Sequence, residues 1–74
     1  MIDNRIVGKN ITMLRRRMKM TQQHLAGKVN VTHQAVSKWE RGVTLPDVQT
    51  MLDLGHLFGV SMEQLLTGPI EVAG

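Results

Sequence analysis

What most restricts the folds open to this chain is its punctuation: residues that start or stop a helix recur at short intervals, with apolar residues at helical spacing between them. Asp3 or Asn4 can cap a first helix in which Val7, Ile11, Leu14 and Met18 recur at i, i+4, i+7 and i+11. Thr21 is a good N-cap for a second, shorter helix that turns Leu25, Ala26 and Val29 inward. Gly27 within that helix costs about 1 kcal/mol relative to alanine, so the helix depends on tertiary packing. Asn30 follows where the chain must turn sharply, and asparagine tolerates the left-handed conformation better than any residue but glycine. Thr32 caps a third helix with Ala35, Val36 and Trp39 on its inner side, and Gly42 ends it just past Arg41. Pro46 and Asp47 open a fourth helix that runs through Phe58, with Val48, Met51, Leu54, Gly55 and Phe58 inward and Gly59 at its close. Ser61 with Gln64 forms a capping box for a last short helix through Leu65 and Leu66, stopped by Gly68 and Pro69. No segment alternates with period two, so the spacing predicts an all-α fold of five helices over residues 1–68, with 69–74 as a frayed tail.

With 74 residues and no cysteine, the chain has room for one modest core and no disulfide or thiolate metal site to reinforce it. Good caps and a partner subunit are the remaining means of stabilisation. No apolar stretch approaches the ~20 residues that cross a bilayer. The start, Met1-Ile2-Asp3-Asn4-Arg5, lacks the basic-then-apolar layout of a secretory signal, so a cytoplasmic protein is expected. The net charge of +3 conceals a strong segregation. All nine Lys and Arg lie between Arg5 and Arg41 with Glu40 as the only acid, so that segment carries +8, whereas residues 42–74 carry −4 and Asp3 adds −1. The first half therefore suits a polyanionic partner and the second half does not.

The stretch from Thr21 to Arg41 is the informative one: two short helices joined by a tight turn. With Val36 and Trp39 against the core, the second of them turns His33, Gln34, Ser37, Lys38 and Arg41 outward. These side chains can hydrogen-bond base edges, and a helix is the right width for the major groove of DNA. Ser37 is small enough to allow close approach, and His33 and Gln34 lie at the N-terminal end, which meets the bases in helix-turn-helix proteins.

Several runs carry a resemblance: Thr21-Gln22-Gln23-His24-Leu25-Ala26, the turn Asn30-Val31-Thr32, and Val36-Ser37-Lys38-Trp39-Glu40-Arg41-Gly42. Leu14-Arg15 upstream belongs to the same set, as do Leu45-Pro46-Asp47, Phe58-Gly59-Val60-Ser61 and Leu65-Leu66 downstream. Together they resemble the Cro/repressor-type (XRE-like, lambda-repressor-like) helix-turn-helix family over about residues 7–68. The resemblance implies a five-helix DNA-binding domain with the helix-turn-helix at helices 2 and 3. It places His33, Gln34, Ser37 and Lys38 at base-reading positions, with Gln22 donating to a phosphate and bracing the recognition helix. Arg41 and the loop Gly42-Val43-Thr44 would lie along the DNA backbone, and Arg15 and Glu40 match an ion pair that ties the first helix to the third. Lys28 is a further phosphate contact to expect, with Arg5, Lys9 and Arg16 behind it. The chain departs from the family at Lys19 and Asn30, where glycine is frequent, so both need near-left-handed backbones. It departs again at His24, where a glutamate would complete a capping box.

One such helix reads only a few base pairs, so a homodimer on a palindromic operator is expected, with Leu52, Leu57, Met62 and Gln64 as the candidate dimer patch or, alternatively, ordinary core. Occluding a promoter makes repression the expected outcome. The principal alternative is a protein-binding module, such as an antitoxin or co-regulator built on the same fold; an apolar or acidic outer face on the third helix would favour it. The basic amphipathic stretch Ile11–Lys19 could instead lie on an anionic membrane, but its apolar residues are those the core requires. His24, His33 and His56 lack metal-ligand spacing, no catalytic constellation stands out, and no cofactor or small-molecule effector is expected.

Overall fold

The computed structural model describes residues 2–68 and Ile70 of the chain, and among these it is all-helical. The helices are α1 (Asn4–Arg17), α2 (Gln22–Lys28), α3 (His33–Glu40), α4 (Val48–Phe58) and α5 (Met62–Leu66). Every N-terminus is capped by a side chain that satisfies one of the backbone N–H groups a helix leaves unpaired. Asp3, rather than Asn4, accepts from the Arg5 N–H at 2.8 Å; Thr21 accepts from His24 at 3.0 Å and Thr32 from Ala35 at 3.1 Å. Asp47 accepts from the Thr50 N–H at 2.8 Å, which moves the start of α4 past Pro46: the proline lies outside the helix and is buried. Ser61 and Gln64 close a reciprocal capping box at 3.0 and 2.8 Å.

The first four helices also end alike. Lys19, Asn30, Gly42 and Gly59 adopt φ of 57°, 59°, 74° and 71°, reversing the chain through the left-handed region. The residue after each then sends its N–H back to a carbonyl of the last turn: Met20 to Arg15, Val31 to Ala26, Val43 to Lys38 and Val60 to Gly55, at 2.9–3.1 Å. This is the Schellman stop, with an apolar residue in the position where such a residue folds back on the helix. It corrects one expectation about the core. Helix α1 stops before Met18, which is 43% exposed, and the reversal at Lys19 buries Met20 (8% exposed) in its place. A second correction concerns α4: its inward stripe runs through Thr50, Met51, Leu54 and Gly55, and Val48 in the first turn lies off it at 68% exposure.

The core gathers Val7, Ile11 and Leu14 of α1, Leu25 and Ala26 of α2, Val36 and Trp39 of α3, Met51 and Leu54 of α4 and Leu65 of α5. Helix α3 packs on both α1 and α2, while α5 joins α1 to α4. The α1–α3 contact is close because Gly8 has no side chain: a Cβ there would run into the carbonyl oxygen of Trp39 and stand 2.9 Å from that of Glu40. Two turns further along α1, Arg15 forms an ion pair with Glu40, Nε to Oε2 at 2.7 Å and Nη2 to Oε1 at 3.1 Å, with side chains only 11% and 6% exposed. At the other edge of α1, buried Asn10 donates to the carbonyls of Leu65 (3.0 Å) and Gly68 (2.8 Å) and accepts from the Ile70 N–H at 3.3 Å. That last bond tethers Ile70, which was expected in the frayed tail; Pro69 and residues 71–74 lie outside the described residues.

Two stability predictions follow from the α1–α3 contact. Alanine is the better helix former by about 1 kcal/mol, but overpacking costs roughly 1–3 kcal/mol and here falls on backbone, so Gly8→Ala should destabilise the fold by a net ~1–2 kcal/mol; an unchanged or raised melting temperature would show that the helices part freely. Burial alone would raise the Glu40 carboxyl, but hydrogen bonds from Arg15 and Gln22 and the Arg15 charge outweigh it and hold the group below its ordinary 4.5. The stabilisation is thus complete above the unfolded-state value and is lost as pH falls through the folded one. Glu40→Gln should cost about 3 kcal/mol at neutral pH and flatten the acid side of the stability curve, leaving the contribution of Asp47, whose carboxyl is lowered by the Thr50 N–H. Parallel acid limbs in thermal melts of the two proteins would contradict this.

Candidate nucleic-acid interface

Helix α3 is fixed from behind and open in front. Val36 and Trp39 are buried against α1 and α2, which leaves His33, Gln34 and Lys38 exposed and Ser37 half-buried between them. The Thr32 cap fixes where the helix begins, so His33 and Gln34 occupy its first turn. Arg41 follows at the C-cap, exposed, its Nε donating to the Ser37 carbonyl at 3.3 Å. The outward face is therefore one basic residue, two hydrogen-bonding side chains and a small hydroxyl, with an arginine at its far end.

The chain of contacts behind this face extends beyond the Arg15–Glu40 pair. Gln22, the first residue of α2, donates from Nε2 to Glu40 Oε1 at 3.0 Å, and its Oε1 lies 3.0 Å from His33 Nε2. A continuous line of polar contacts thus runs from α1 through the end of α3 and the start of α2 to the first residue of α3. Gln22 was expected to brace the recognition helix and to donate to a phosphate; the bond to Glu40 leaves it one amide N–H for the second task. The Gln22–Glu40 and Gln22–His33 contacts carry no local sequence signal, because the residues are 18 and 11 apart.

The electrostatics are equally one-sided. The Arg15–Glu40 pair neutralises the one acid and one of the nine bases of segment 5–41, and the other eight basic residues are all exposed. Lys28 stands at the end of α2 and Thr44 in the exposed α3–α4 loop. Arg5 is brought beside that loop, its Cγ within 2.8 Å of where a Cβ on Gly42 would lie. Lys9 and Arg16 line a shallow groove with Thr12, Met13 and Glu40 along α1.

Of the four residues considered for a dimer patch, only Leu52 is an exposed apolar side chain, at 41%. Leu57 and Met62 are half-buried against the core, and Gln64 is engaged in the α5 capping box. Exposed apolar residues that the periodicity did not reveal are Val43 and Leu45 in the loop and Val48 at the start of α4. Among the described residues no His, Asp or Glu cluster could hold a metal ion, and no helix is long and apolar enough to cross a membrane.

Comparison with known proteins gives this geometry a family. Residues 11–65 match the helix-turn-helix family. The chain is 33% identical over 60 residues to the HTH-type transcriptional regulator YqaE of Bacillus subtilis, covering 81% of this chain and 52% of that protein. It is 30% identical over 70 residues to repressor protein C2 of Salmonella phage P22, covering 95% of this chain and 32% of that one. It thus spans about half the length of the first and a third of the second. The crystal structure of the P22 c2 repressor bound to a synthetic operator superposes with a TM-score of 0.81 at 33% identity, over 85% of this chain and 96% of that one. The polar outer face of α3, the cationic surface and these similarities lead to one assignment: the chain belongs to the Cro/repressor-type helix-turn-helix family of DNA-binding transcriptional regulators.

Proposed function

We propose that this chain binds double-stranded DNA sequence-specifically and acts in the cytoplasm as a transcriptional repressor, a homodimer reading a palindromic operator through α3. The observation that carries this reading is the outer face of α3, wholly polar and set within a segment whose exposed charges are all positive. Gln34 and Lys38 are the principal base readers: glutamine pairs bidentately with adenine and lysine reaches guanine O6 and N7. His33 and Ser37 complete the reading surface. Lys28, Arg41, Thr44 and the free amide N–H of Gln22 hold the phosphates, and the lysine and arginine among them release counterions. The P22 c2 repressor, similar over most of this chain, is itself seen on an operator, which supports the same orientation here.

The dimer contact is placed around Leu52, with Val48 one turn earlier on α4 and Val43 and Leu45 in the preceding loop, since these expose apolar surface that Leu57, Met62 and Gln64 do not. Two α3 helices then enter successive major grooves about 34 Å apart. No cofactor and no enzymatic step belong to this function. A protein-binding role would call for an apolar or acidic outer face on α3, and none is present among His33, Gln34, Ser37, Lys38 and Arg41.

Anisotropy titration against a random duplex pool at two salt concentrations, with recovery of bound sequences, tests the reading. Binding should weaken steeply with salt and enrich a palindrome; no binding at low salt would reject it. Gln34→Ala should cost about 1–3 kcal/mol on the recovered operator and relax base choice at one position. Lys38→Ala should weaken operator binding more than random-DNA binding, and equal losses on both would make it a phosphate contact.

A further inference from the structure

The line of contacts from Arg15 to His33 does more than brace α3, because each member constrains the hydrogen-bonding polarity of the next. Arg15 holds the Glu40 carboxylate through Nε and Nη2. A carboxylate only accepts, so the Gln22 atom 3.0 Å from Glu40 Oε1 is the donating nitrogen, and the orientation of the Gln22 amide is settled. Its carbonyl oxygen therefore faces α3, 3.0 Å from His33 Nε2. That oxygen also only accepts, so Nε2 must carry a hydrogen. A neutral imidazole with its hydrogen on Nε2 has a bare Nδ1, and His33 Nδ1 makes no hydrogen bond to any described residue on its exposed side chain.

From this we infer that His33 is a specificity-determining residue whose reading of DNA changes with its protonation: Gln22 holds Nε2–H in both states, while Nδ1 accepts when the ring is neutral and donates when it is protonated. The inference rests on the DNA-binding reading of α3. Taking up a proton at Nδ1 leaves the bond to Gln22 intact, so the ring keeps its place and only the polarity of its free edge inverts. Neutral His33 suits a base that offers a donor in the major groove, the N6 amino group of adenine or the N4 amino group of cytosine. Protonated His33 suits the O6 and N7 acceptors of guanine. The relay survives throughout the range in which histidines titrate, since burial of Glu40 is outweighed by its hydrogen bonds and the Arg15 charge and its carboxyl stays ionised there.

The charged and titratable groups on the elements around His33 are His24 and Lys28 of α2, Lys38 and Glu40 of α3, Arg41 beyond it and Arg15 of α1. Glu40 is the only acid among them and is bonded to Arg15. A protonated ring adds one positive charge to the face that meets the DNA phosphates, so acidification strengthens binding.

Two measurements test this. In ring-nitrogen NMR at about pH 8, where histidine is neutral, His33 should be the Nε2–H tautomer in the wild type and a tautomer mixture in Gln22→Ala; a wild-type ring with its hydrogen on Nδ1 would overturn the inference without reference to DNA. Sequences recovered from a randomised duplex pool at about pH 8 and about pH 5.5 should differ at one position per half-site, with preference moving about tenfold from adenine or cytosine toward guanine. His33→Gln, which cannot titrate, should recover the same base at both. A wild-type preference that ignores pH, or a shift that persists in His33→Gln, overturns the inference and leaves the DNA-binding reading intact. Absence of any enrichment at either pH removes that reading and this inference with it.

Discussion

Arg15 donates three hydrogen bonds from a site nearly closed to water, two to Glu40 and one to the carbonyl of Met20. A guanidinium and a carboxylate taken out of solvent hold a structure together only when both are fully partnered, and losing one strands the other. Here the partnering joins three separate pieces: helix α1, the reversal that follows it, and the last turn of α3. Gly8 permits the approach that makes the pair possible, because the backbone of α3 at Trp39 and Glu40 occupies the space a side chain would fill. The position of α3, and so of every residue on its outer face, is set from this contact.

Around it the fold relies on well-made ends. Each of the five helices is capped by a side chain, and four end in the same left-handed reversal. Two of those reversals use Lys19 and Asn30 where glycine would be unstrained, and a non-glycine left-handed residue costs roughly 1–2 kcal/mol. The apolar residue after each reversal offsets that cost: Met20 is buried, and Val31 packs against the core. In a chain this short and without cysteine, helix ends of this quality stand in for cross-links.

Most of this was legible along the chain, because caps and left-handed stops are local chemistry. Thr21, Thr32 and Ser61 begin helices where expected, and Lys19 and Asn30 adopt the positive φ expected of them. Periodicity failed at helix ends. It carried the apolar stripe of α1 to Met18, one residue past the stop that buries Met20 instead, and it started α4 at Pro46 with Val48 inward because it took no account of Asp47 as the cap. The outer face of α3 followed from knowing which two residues faced the core. The contacts of Gln22 with Glu40 and His33 did not follow, since they join residues brought together only by the packing of α2 on α3.

The chain has one tryptophan and no tyrosine, and that tryptophan is a core residue, 5% exposed, whose backbone carbonyl lies against Gly8 of α1. Near-ultraviolet emission from the native protein therefore comes from a single indole on the inner face of α3, on the side opposite Gln34 and Lys38. Its colour reports whether α3 is seated, blue when the ring is dry and red when water reaches it. A ligand on the outer face meets the opposite side of the helix from the ring. The protein thus carries an intrinsic optical gauge of folding that faces away from the outer side of α3.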